Sequence, residues 1–163
     1  MFDPTSFDNL KVVLEGFVYE ADLLGDIVIE SRHDMVDLAA MSREYSLSFR
    51  TSSEASFTAK IMLNSSMRML SSELISLPSR PIGAYVRICF YSSASLDVSV
   101  KTEDILHQFF GENRVFEVID THSSIHGKSV SWEYSFPEPM KEEQVDDLQE
   151  LVTVCIGALE KLN

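Results

Sequence analysis

The segment 128–136, KSVSWEYSF, alternates without a break. Val130, Trp132, Tyr134 and Phe136 fall on one side of an extended chain, and Ser129, Ser131, Glu133 and Ser135 on the other. Successive side chains of a strand point to opposite faces, so this run places four large apolar groups on a core and its polar groups away from it. A chain carrying such a strand must build a sheet with at least one covered face.

The same period recurs upstream. Tyr45, Leu47 and Phe49 alternate with Glu44, Ser46, Ser48 and Arg50. After the polar stretch TSSE, Phe57, Ala59, Ile61 and Leu63 alternate again. These are two half-buried antiparallel strands, each expected to keep one wet face. Segments 84–91 (AYVRICFY) and 114–120 (RVFEVID) read as further strands, and 96–100 as a short one. Near the start, 10–19 (LKVVLEGFVY) is rich in β-formers, and 27–30 follows a turn containing Gly25. The two together predict a hairpin. The stretch 31–43 fits either a short helix capped by Asp34 or extended chain.

Elsewhere the period lengthens. Met67, Leu70, Leu74 and Leu77 recur at helical spacing, with Asn64, Ser65 or Ser66 available as N-cap and Pro78 and Pro81 as stops. Thr102 is placed to cap a helix over EDILHQFF that Gly111 ends. The final segment, 141 to about 162, carries Val145, Leu148, Val152, Cys155, Leu159 and Leu162 at strict three-four spacing. Glu142, Glu143, Asp146 and Asp147 crowd its first turns and Lys161 lies in its last, as the helix dipole favours. The predicted fold is α+β: a mostly antiparallel twisted sheet of about six to eight strands against helices, with a long C-terminal amphipathic helix. No linker or charge run divides the chain, so 1–163 reads as a single domain.

Charge narrows the function. Twenty-six acidic against thirteen basic residues leave a net charge of -13, which repels phosphate backbones and anionic lipid. We therefore expect no nucleic-acid and no membrane partner. The N-terminus, MFDPTSFDNLK, is acidic where a secretory signal is basic, and no apolar run approaches the ~20 residues of a membrane span. Cys89 and Cys155 are the two cysteines, read as reduced core residues of a cytoplasmic protein.

The segment 122–129, HSSIHGKS, ends like a phosphate-binding loop. That loop needs a glycine where His122 stands, and it opens a helix, whereas Lys128 opens the aromatic strand. The segment is a hairpin tip eased by Gly127. His122 and His126 face each other across that tip as weak metal-ligand candidates, but both cysteines sit at apolar positions and cannot complete a zinc set. His33 sits in a local turn or cap beside Asp34, and His107 lies mid-helix between Leu106 and Phe109, at the boundary between core and surface. No serine lies in G-x-S-x-G.

Two surfaces remain as candidates. Trp132, Tyr134 and Phe136 can form the wall of a ligand cavity beneath the last helix, or simply pack the core. Leu148, Val152 and Leu159 can cover the sheet, or pair helix to helix with a second chain. In size, acidity and a sheet flanked by helices, the chain is similar to the small cytoplasmic chaperones of secretion systems. That resemblance covers composition and gross order of elements and carries over no residue. The expected function is a non-catalytic, acidic cytoplasmic interaction protein, chaperone-like or regulatory, acting as a homodimer without a cofactor. The alternative is a small-molecule-binding protein or enzyme with its cavity between sheet and C-terminal helix.

Overall fold

The computed structural model describes residues 5–76, 81–92, 99–111 and 116–163. The chain runs α1 (Ser6–Leu24), β1 (Val28–Asp37), β2 (Ser42–Arg50), β3 (Phe57–Ser65), α2 (Met67–Leu74), β4 (Tyr85–Ser92), α3 (Ser99–Phe110), β5 (Phe116–Ser123), β6 (Gly127–Ser135) and α4 (Val145–Leu162), with a 3-10 turn at Glu142–Gln144 before α4. The six strands form one antiparallel sheet in the order β1-β2-β3-β4-β6-β5. The fold is α+β, as the two periods predict.

The alternating runs set the layers. Tyr45, Leu47 and Phe49 pair across the sheet with Leu63, Ile61 and Ala59, which pair in turn with Val86, Ile88 and Phe90. Ile88 and Phe90 sit opposite Tyr134 and Trp132. All of these are buried in one cluster with Leu10, Leu14 and Val18 of α1, Leu106 of α3 and Leu148, Cys155 and Leu159 of α4. Three helices therefore share one face of the sheet. Aromatic rings close the α3 side, where Phe110 stacks on Tyr134 at 4.7 Å and Phe116 at 5.3 Å.

Several local expectations change. Residues 10–19 are helix, not strand, so Gly25 turns no hairpin. Phe7, Leu10, Leu14, Val18 and Ala21 are buried at spacings of three and four, and this periodic face outweighs the local β preference of Val12, Val13 and Tyr19. Thr5 and Asp8 cap the start reciprocally, and Gly25 ends the helix at φ 84°, a left-handed cap that only glycine adopts freely. The stretch 31–43 is extended into β1, turns at 38–41 and enters β2. Asp34 is a strand residue, not a cap. α3 begins at Ser99, which takes Ser99 and Val100 out of the predicted strand and puts Thr102 inside the helix. The rest of that strand, Leu77, Pro78, Arg114 and Val115 lie outside the described residues.

The far face of the sheet carries Ser46, Ser48, Thr58 and Cys89, all buried although no helix of the main core lies there. Longer neighbours shield them. Glu30 pairs with Arg50 and accepts hydrogen bonds from Thr58 Oγ1 and Tyr91 Oη at 3.1 and 3.4 Å. Cys89 belongs to this face, opposite Lys60 and Glu133, and so is not a residue of the main core. Cys155 sits on α4 against the other face, and both cysteines are free.

Candidate functional site

The residues foreseen as cavity wall or pairing seam are mostly interior. Trp132 and Tyr134 are fully packed, Trp132 with Phe57 at 6.0 Å and Tyr134 between Phe110 and Phe116. Their rings pack against these neighbours in the core. Phe136 differs. It lies just past β6, half-buried, in the floor of a cleft of about 420 Å³ between α3, α4 and the segment 136–140. Leu148, Val152 and Leu159 are buried against the sheet within their own chain. In this conformation their stripe packs into the core of that chain.

The hairpin tip is as simple as its sequence. Thr121, His122 and Ser123 pair with Ser129, Lys128 and Gly127. Lys128 thus stands across from His122, and His126 belongs to the turn. Ser123 Oγ accepts the amides of Ile125 and His126 at 3.2 and 3.0 Å, and Gly127 closes the turn at φ 81°. Among the described residues, no group of three or more His, Cys, Asp and Glu gathers as metal ligands would.

What the fold leaves available is an edge. β1 ends the sheet, and among the described residues its outer side meets no strand. It is the longest described strand, ten residues, and all but two of them are exposed. Its far half carries Met35 and Val36, and the turn beyond it carries Leu38 and Met41, with Leu38 80% exposed. Four apolar side chains are thus held in water within seven residues, although Leu23, Leu24, Leu74, Ile75 and Ile125 are exposed elsewhere on the chain.

These groups are held in place. Asp37 Oδ1 accepts the backbone amides of Ala39 and Ala40 at 2.8 and 3.1 Å, an Asx turn that fixes the tip. Met41 completes it at φ 52°, in the left-handed region that a methionine seldom adopts. Behind the tip, Arg43 donates to Asp8 at 2.7 Å, lies 3.5 Å from Asp34 and covers the Phe7 ring at 4.6 Å. Lys11 bonds the same Asp34. Burial alone would raise the Asp34 carboxyl, but the hydrogen bond and charge of Lys11, with Arg43, bring it below the usual carboxylate range. The network pins the base of the β1–β2 hairpin to α1.

The other edge is shorter. β5 carries only acidic charges, Glu117 and Asp120, with Val118 as its most exposed apolar group, whereas β1 carries Arg32 among Glu30, Asp34 and Asp37. Charges of one sign along an edge discourage strand addition. Sequence reasoning missed the β1 edge because 31–43 shows no alternation, and an edge strand wet on both faces needs none.

Comparison with known protein families, curated proteins and solved structures finds no match for this chain.

Proposed function

We propose that the chain is a non-catalytic cytoplasmic interaction protein that works as a homodimer joined through β1. The observation that carries this reading is the unpaired edge at 31–41, along which Met35, Val36, Leu38 and Met41 are exposed. An edge strand offers a row of free amides and carbonyls, and a partner strand that adds to it is held by main-chain bonds while side chains give selectivity.

A second copy suits this edge by charge. Antiparallel pairing about His33 sets Arg32 of one copy opposite Asp34 of the other, and the reverse, so one contact is made twice. Both side chains lie on the helix face, where Arg32 meets Glu15 at 3.1 Å and Asp34 meets Lys11 and Arg43. Pairing would join two existing ion networks without burying an uncompensated charge. The same register places Met35 and Val36 beside Ser31 and Glu30 of the other copy, and the two tips flank the junction. The free buried cysteines agree with a reducing compartment, and no described helix is long and apolar enough to cross a membrane.

Hydrogen exchange at two protein concentrations tests the reading. The β1 amides that point away from β2 should gain protection as concentration rises, while those of β5 stay unchanged. Equal exchange of β1 at both concentrations would count against it.

The ligand-binding alternative keeps one supporting observation, the cleft floored by Phe136.

A further inference from the structure

We infer that this cleft is a docking groove for a basic, amphipathic peptide segment of a partner protein, a site separate from the β1 edge. Its floor is apolar. Phe110, Met140 and Leu151 are buried beneath it, and Phe109, Phe136 and Val154 line it partly buried. Its mouth is acidic. Glu138 stands on one side and Asp147 and Glu150 on the other, all exposed, and no lysine or arginine contributes to the lining described. Among the described residues none of the three carboxylates forms an ion pair; Asp147 accepts one hydrogen bond, from Gln144 Nε2 at 3.0 Å. Aromatic faces below and carboxylates above are complementary to a side chain with an apolar stem and a cationic head, or to a leucine next to an arginine. The net charge of -13 draws such a segment in from a distance.

Shape selects a peptide over a small organic cation. Gln144, the residue before α4, and Asp147, Leu151 and Val154 of α4 recur at three-four spacing and present one stripe along the cleft. Ten residues of helix span about 15 Å, the length of four or five extended residues. A single amine would meet only one end of that stripe.

The opposite wall is preformed. Met140 exchanges two backbone hydrogen bonds with Ala84, at 2.8 and 3.0 Å, and the Phe136 amide donates to Val86 at 3.1 Å. Gly83 makes this approach possible, since a Cβ there would lie 2.0 Å from the Met140 carbonyl oxygen. Pro137 and Pro139 lock the backbone on both sides of Glu138. A wall fixed in advance lowers the ordering cost of binding.

The experiment uses the full chain and a fluorescently labelled eight-residue peptide that alternates arginine and leucine, followed by anisotropy. We expect saturable binding that moves the Leu151 and Val154 methyl resonances. The exposed double reversal Asp147→Lys/Glu150→Lys should weaken it at least about fivefold, two rim charges being changed from attractive to repulsive. The control Glu54→Lys/Glu160→Lys, with the same change in net charge but outside the cleft, should bind as the parent does. A glutamate-leucine peptide should not bind. Equal loss in both double variants would reduce the effect to bulk charge and overturn the proposal. So would absence of arginine-leucine binding to the parent chain, or phenethylammonium shifting the same methyls while the peptide does not.

Discussion

The Tyr45 hydroxyl donates a 2.8 Å hydrogen bond to Glu15 Oε1, joining the second strand of the sheet to the first helix. The tyrosine is fully buried and the glutamate reaches it from the helix surface, where Arg32 holds the same oxygen at 3.1 Å. Removing either partner should therefore give unequal results. Tyr45→Phe leaves Glu15 still paired and should cost about 1 kcal/mol, whereas Glu15→Ala strands a buried hydroxyl and should cost about 1–3 kcal/mol. Urea denaturation of the two variants measures the difference. Tyr134→Phe provides the contrast, because that hydroxyl is buried with no hydrogen-bond partner among the described residues; the change should be neutral or slightly stabilising.

Alkaline titration should separate the same two phenols from the other tyrosines. Burial, and then the hydrogen bond and charge of Glu15, push the Tyr45 phenol far above its ordinary value. Burial, with the charge of Glu103, pushes Tyr134 up to about 12. A raised folded-state value means stability that is whole below the unfolded value of about 10 and is lost as pH rises through the folded values. Absorbance at 295 nm should show these two phenols staying protonated beyond pH 11 until the fold opens. Tyr45 and Tyr134 ionising near pH 10 in a still-folded protein would contradict the burial assigned to them.

The interior position of α4 predicts that Leu148→Ala costs about 2–5 kcal/mol, as large-to-small changes in a filled core do. Leu148→Asp with Val152→Asp should abolish folding, seen as lost near-ultraviolet circular dichroism. A folded monomer from that pair would mean the stripe serves association after all.

Replacing His122 and His126 by alanine should change neither the melting temperature nor the metal content by elemental analysis. Both side chains are at an exposed tip whose geometry comes from Ser123 and Gly127. Loss of a stoichiometric zinc would overturn that assignment.

Where one face of a segment is dry and the other wet, the sequence is easy to read. Tyr45, Leu47 and Phe49, and again Trp132 and Tyr134, write their faces in period two, and the seam of α4 writes its face at three-four spacing. α1 was harder, because Val12, Val13, Phe17, Val18 and Tyr19 prefer strand locally. The signals that win are the T-x-x-D cap at Thr5 and Asp8 and the longer-range spacing from Phe7 to Ala21. β1 gave no pattern because both its faces are wet. The acid-rimmed cleft could not be read at all: residues 109–110, 136–140 and 144–154 meet only after folding, and no short motif marks their meeting. Phe136 continues the alternation of Trp132 and Tyr134, yet it borders the cleft while those two pack in the core.

The central claim is that two copies join along β1, and mass in solution tests it most directly. Native mass spectrometry with light scattering should give twice the 18.4 kDa chain mass for the parent protein. The variant Val36→Lys/Leu38→Lys changes two exposed side chains and should keep the far-ultraviolet spectrum while falling to 18.4 kDa. A parent that stays at the single-chain mass at every concentration, or a variant that stays at double mass, would contradict the account.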